Sequence, residues 1–152
     1  MDPADPTARD RLSMWGSGLA MAQDHPLTGI GPGQVKHEYR RYAMPDALQK
    51  SRGHLHNTPL QILVERGALG LAAWGSIFVA FFWQAGRLLR ALPPGDTGGR
   101  AIVAGSIAAI TGFLVGGLTE YNFGDSEVVM VAYAVMALPF VGQRNLAGES
   151  GQ

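Results

Sequence analysis

Hydrophobic positions follow two regimes along the chain. Over residues 1–66 they recur at short helical spacing between charged residues, whereas residues 67–86, 101–119 and 128–143 contain no Asp, Glu, Lys or Arg at all. At ~1.5 Å per residue the first two uncharged runs reach ~29–30 Å, enough for a hydrocarbon core of ~30 Å. The third reaches about 24 Å and needs a thinned bilayer, a tilted neighbour or interfacial ends. Residues 71–83, mostly Leu, Ala, Trp, Ile, Phe and Val, leave no polar face for water. A helix apolar all round is buried in lipid or in a large core, and 152 residues cannot build such a core around three of them. The pattern predicts an all-α, polytopic membrane fold: an external helical region followed by three transmembrane helices.

Within the polar part, Thr7 and Asp10 resemble a capping box, and Leu12, Trp15, Leu19 and Ala22 then share one helix face up to Asp24-His25-Pro26. Gly29, Gly31 and Gly33 follow at alternate positions and permit a tight, closely approaching backbone, without the Lys-Ser/Thr end of a P-loop. Val35, Tyr39 and Tyr42 fall on one face of a short helix whose other faces carry Lys36, Arg40 and Arg41. Further on, Pro59 fits a first helical position, with Thr58 as N-cap and Gln61 as its capping-box partner. His56 and Asn57 therefore stand just before a helix N-terminus, where free N–H groups and the dipole suit an anion such as phosphate.

Charge refines the picture. The 12 basic and 12 acidic residues balance, and at 16% charged the chain offers no nucleic-acid-binding surface. Without cysteine there is no disulfide framework, thiolate metal site or Cys nucleophile. Arg87, Arg90 and Arg100, opposed only by Asp96, lie between the first two spans, while residues 120–127 hold no Lys or Arg. The positive-inside rule then places 87–100 in the cytoplasm and 120–127 outside. The expected organisation is an external, periplasmic region over 1–66, a three-span membrane domain over 67–143 and a cytoplasmic tail over 144–152. Trp74, Trp83 and Tyr121 are candidate interfacial anchors. Gly112 and Gly116, in small-xxx-small spacing, predict a close helix contact, in this chain or with another. The first seven residues have no signal-peptide h-region, so an outside N-terminus is expected to follow earlier membrane spans, this chain being the C-terminal portion of a longer protein.

Three groups of residues together carry a family resemblance. His56-Asn57, nine residues, then Gly67-Ala68-Leu69-Gly70 resembles the His-Asn…Gly-x-x-Gly motif of the O-antigen ligase and polymerase superfamily. Arg11-x-x-x-Trp15 followed by Asp24-His25-Pro26-Leu27-Thr28-Gly29-Ile30-Gly31-Pro32-Gly33 is similar to the run preceding that family's large periplasmic loop. Glu120-Tyr121-Asn122 after a glycine-rich span resembles its last external turn, so the likeness covers about residues 9–142. The resemblance implies a bacterial inner-membrane glycosyltransferase of roughly ten or more helices. Its donor would be an undecaprenyl-diphosphate-linked glycan, and its acceptor a sugar hydroxyl of lipid A-core (ligase) or of another repeat unit (polymerase). Membrane lipids and the earlier helices would be its other partners, and no cofactor is implied.

Displacing a lipid diphosphate from an anomeric carbon requires a base or orienting group for the acceptor hydroxyl and positive charge for the leaving diphosphate. His56 is the candidate for the first, because an imidazole ordinarily titrates near ~6.5 and its neutral form accepts a proton near neutral pH; it could instead hold the diphosphate as a donor. Guanidinium forks bind two phosphate oxygens at once, which makes Arg11, Arg52, Arg40 and Arg41 diphosphate candidates, Arg11 foremost because it matches the family's Arg before Trp. Asn57, Gly67, Gly70, Gly29, Gly31 and Gly33 are motif or structural positions. His54-x-His56 invites a metal reading, but no carboxylate at ligand spacing accompanies it, so no metal is expected. His25 and His37 are expected to be structural or solvated, and Glu120 and Asp125 to face water. The rival classes are a non-catalytic binding or structural membrane subunit, and a transporter fragment, the latter disfavoured by spans without ionisable residues.

Overall fold

The computed structural model describes residues 6–45 and 47–149, and the side chains of residues 7–45 and 47–141. Among the described residues the chain is all-α, without strands: α1 (Pro6–Asp24), α2 (Val35–Tyr42), α3 (Thr58–Ala91), α4 (Thr97–Gly116), a 3-10 turn (Asn122–Gly124) and α5 (Ser126–Glu149). The chain forms two compact units, one of Met1–Gly75 with Gly117–Tyr121, the other of Ser76–Gly116 with Asn122–Gln152.

In the first unit α1 and α2 form where the periodicity predicts them, but of the predicted α1 face only Trp15 and Ala22 reach the core. Leu12 and Leu19 are 52% and 51% exposed, while Met14, Ser17, Met21 and Ala22 turn inward. Small residues explain the choice. A Cβ on Gly18 would stand 2.8 Å from Leu55 and 3.1 Å from Leu60, so only a glycine there lets those leucines seat against the helix. The core beside it gathers Met14, Met21, Val35, Tyr39, Leu55 and Val64. Val35 and Tyr39 of α2 are buried as its pattern predicts, and the Tyr42 hydroxyl donates to Asp24 at 2.7 Å. The helix begins at Pro6, so Thr7 lies inside it rather than capping it. The segment without a signal-peptide pattern falls mostly on residues 1–5, outside the described residues.

Helix α3 is interrupted at Gly67, whose φ of 66° and ψ of −172° leave the helical region. The interruption frees backbone groups on both sides, and the glycine-rich segment supplies their partners. Ile30 and Gly31 donate to the Val64 and Glu65 carbonyls (2.9 and 3.0 Å), while Ala68 and Leu69 donate to those of Pro26 and Leu27 (2.8 and 3.3 Å). Buried backbone groups are costly when unpaired, so loop and kink require each other. Two glycines make the approach possible: a Cβ on Gly29 would collide with the Glu65–Arg66 peptide, and one on Gly67 with the Leu27 carbonyl.

In the second unit α4 packs on α5, and Val103, Ser106 and Ile110 of α4 are buried. Gly105 and Gly112 face open space, and Gly116 has only the Asn122 amide near it, so the predicted glycine contact has no helix on it among the described residues. Thr58–Ala91 and Thr97–Gly116 are long and apolar enough to cross a membrane; the apolar part of α5, Ser126–Val141, is shorter and carries Pro139. The third expected span is therefore not of crossing length by itself. Helix α5 continues through residues 144–149, and residues 150–152 of the expected tail lie outside the described residues. Asp125 starts α5, its carboxylate accepting from Glu127 N–H at 3.0 Å and its carbonyl from Val129 N–H at 3.0 Å.

Candidate functional site

The start of α3 differs from its sequence reading by one residue. Asn57, not Thr58, is the N-cap: its Oδ1 accepts from Leu60 N–H at 2.8 Å, and its carbonyl takes the first helical bond from Gln61 N–H at 2.9 Å. Thr58 N–H donates to the Gly117 carbonyl at 2.7 Å, and Pro59 has no N–H to offer. The amide donors of the first turn are thus occupied, which corrects the expectation of free N–H groups waiting for a phosphate. Positive charge for an anion must come from side chains instead.

The segment 117–121 supplies the partners. Asn57 Nδ2 donates to the Leu118 carbonyl at 2.9 Å, and the Thr58 hydroxyl to that of Glu120 at 3.0 Å. These bonds hold the Glu120 carboxylate against the histidine: His56 Nδ1 lies 2.9 Å from Oε2, and Arg11 reaches Oε1 at 3.3 Å. Glu120, with 55% of its side chain exposed, faces water as expected and also joins His56 and Arg11, 64 and 109 positions away along the chain.

His56 itself adopts a left-handed backbone, φ 47°, the one non-glycine residue among the described residues to do so. His54 packs edge-on against it with ring centroids 4.2 Å apart and lies 6.0 Å from the Tyr121 ring. Burial first, then the charges of His56 and Arg52, hold the His54 imidazole below its ordinary 6.5, while Glu120 opposes them. Among the described residues no three of His, Cys, Asp and Glu are arranged to hold a metal ion.

The predicted arginines separate. Arg11 is in the cluster through Glu120, and Arg52 pairs with Asp10, the residue preceding Arg11 on α1, each of that pair having 16% of its side chain exposed. Arg40 and Arg41 are exposed on α2, where Arg41 pairs with Glu38 at 2.8 Å, and no bond joins either to His56 among the described residues. Of the motif positions, Gly29, Gly31 and Gly67 build the loop and kink, Gly33 N–H donates to Glu65 at 3.0 Å, and Gly70 packs against the Arg66 stem. His25 and His37 lie exposed.

Glu120 is held below the ordinary carboxylate value of 4.5, first by its hydrogen bond with His56, with burial opposing and the charges of His56, Arg11 and His54 adding to the shift. A carboxyl whose folded pKa is depressed contributes stability above its unfolded value and loses it as pH falls through the folded one. Wild type should therefore exceed Glu120→Gln in thermal stability at neutral pH, with the gap closing below about pH 4.5. A gap of constant size from neutral to strongly acid pH would contradict this.

The fold and site describe a helical protein with two apolar helices of membrane-crossing length and, within its first unit, a histidine–glutamate–arginine cluster. Residues 2–75 match the family described as O-antigen ligase, a similarity that supports the O-antigen ligase superfamily. The family is membrane-associated and carries out glycosyl transfer of the O-antigen ligase or polymerase type. No curated protein matches the chain.

Proposed function

We propose that the protein transfers a glycan from undecaprenyl diphosphate to a sugar hydroxyl, of lipid A-core or of another repeat unit, on the periplasmic side of the bacterial inner membrane. The observation that carries this reading is the sharing of one carboxylate: Glu120 engages His56 with one oxygen and Arg11 with the other. A carboxylate on Nδ1 holds the imidazole as the tautomer with a lone pair on Nε2, the form that accepts a proton. The acceptor oxygen attacks the anomeric carbon, its proton passes to His56 Nε2, and the bond to the diphosphate breaks. Arg11 keeps further guanidinium donors beyond the one on Glu120, and it meets the departing diphosphate, with Arg52, Arg40 and Arg41 as additional cations. The reaction as proposed draws its positive charge from guanidinium groups and uses no metal. Residues 1–66 face the periplasm, 67–143 form the membrane domain with α5 as a short third crossing, and 144–152 lie in the cytoplasm.

A second reading has its own support, since Asn57 and Thr58 bind the backbone of 117–120 and could make the His-Asn motif a clasp in a non-catalytic subunit. Full-length protein in membrane vesicles with an isotope-labelled undecaprenyl-diphosphate glycan separates them. Label should pass to the acceptor while free lipid diphosphate appears, and Arg11→Lys should raise the donor KM about tenfold, since an ammonium cannot reproduce the fork. Vesicles that bind the donor and transfer nothing would favour the clasp.

A further inference from the structure

The left-handed backbone of His56 needs an explanation in the residues around it, since a non-glycine residue adopts such a φ only where its surroundings impose it. The torsion φ of residue 56 turns the Leu55–His56 peptide plane against the histidine. That plane is gripped from outside. Trp15 Nε1–H donates to the Leu55 carbonyl at 3.1 Å. On the preceding peptide, Leu55 N–H donates to Gln61 Oε1 at 2.9 Å. Leu55 is fully buried and Gln61 is 1% exposed, so the Gln61 bond is shielded from water, and the Trp15 bond is partly buried.

Gln61 does not play the capping role expected for it, because its amide is oriented elsewhere. Its Nε2 donates to Glu65 Oε1 at 2.7 Å, an oxygen that also accepts from Gly33 N–H at 3.0 Å, and Glu65 is itself buried. The buried carboxylate therefore decides which way the amide points: NH₂ toward Glu65, oxygen toward Leu55. On the far side of His56, Asn57 and Thr58 are held to 117–120. With the chain held before and after it, the backbone of His56 is placed so that its ring meets Glu120.

We propose that Trp15 and Gln61 are positioning residues for His56, setting its backbone torsion through the two polar groups of Leu55 and so aiming its ring at Glu120. The inference rests on the reading of His56 as proton acceptor. If the grip is removed, φ relaxes to negative values, the ring leaves Glu120, and the proton acceptor is misplaced.

The test uses the full-length protein in its membrane and two variants, Trp15→Phe, which keeps the ring and deletes the donor, and Gln61→Met, which keeps the length and deletes both bonds. Carbethoxylation of His56 by diethyl pyrocarbonate, followed by mass spectrometry, reads the placement of the ring whether or not it is catalytic. The variants should react several-fold faster at His56 and unchanged at the exposed His25 and His37. Transfer should lose on the order of ten- to a hundredfold in kcat, with donor KM within about twofold, as expected for a misplaced catalytic group. Wild-type reactivity of His56 in the variants would overturn the inference. If only one variant accumulates in the membrane it decides alone; if neither does, the pair hold the fold and the inference falls. Faster modification with undiminished transfer would instead keep the positioning role and remove His56 as proton acceptor.

Discussion

Alanine at position 56 is expected to lower kcat for glycosyl transfer by about 10²–10⁴-fold, the range a positioned acid or base contributes. The donor KM should change little, because the charges proposed to meet the diphosphate are on arginines. Loss of the carboxylate partner should be milder: Glu120→Ala leaves the imidazole in place but frees its tautomer and direction, with a cost of about 10–100-fold by analogy with the partners of metal-bound histidines. The decisive comparison is the double variant. Groups that act as one unit are not additive, so His56→Ala/Glu120→Ala should be no slower than His56→Ala alone. Kinetics in vesicles with labelled donor would measure all three. Multiplying losses would mean that Glu120 acts on the substrate by itself rather than through the histidine.

Gly67→Ala should be the most damaging of the glycine substitutions, destabilising the protein by at least about 3 kcal/mol. The backbone at φ 66° and ψ −172° is in a region that essentially only glycine occupies, and forcing another residue there costs about 1–3 kcal/mol before any contact is considered. The added methyl also meets the Leu27 carbonyl, which is backbone and has no rotamer to yield. Straightening the helix would relieve both, but at the expense of the four bonds between 26–31 and 64–69. Thermal unfolding of the purified protein and amide exchange at Ile30, Gly31, Ala68 and Leu69 would measure the effect. Retained melting temperature and retained protection would refute it. Gly112→Ala makes a suitable control: the position is helical and open, so it should be neutral or slightly stabilising.

Much of the fold was readable because helix periodicity and uncharged length are local properties. The face Val35/Tyr39/Tyr42 of α2, the start of α3 near Pro59 and the two longest apolar helices all came from spacing alone. The errors share one cause. On α1 the larger leucines looked like the core, yet the buried side is the one with Gly18 and Ser17, since a neighbour seats where the helix surface is low. At α3 both Asn57 and Thr58 are good caps, and it is the bonds from Leu60 and Gln61 N–H to Asn57 that show Asn57 standing outside the helix. The amide donors that looked free are occupied by the chain itself, something no local pattern announces.

His56, Arg11 and the paired glycine motifs were visible as residues because their chemistry and spacing are written in the chain. Glu120 was visible only as part of a turn; its role depends on a carboxylate from 64 positions away coming within 2.9 Å of an imidazole. Sequence by itself determined the helices, the apolar lengths and where the histidines and arginines fall along them, because these follow from side-chain chemistry and from contacts a few residues apart. Tertiary structure alone decided which carboxylate meets the histidine, which donors are already taken and why the glycines recur: each depends on distant backbone segments satisfying one another's hydrogen bonds.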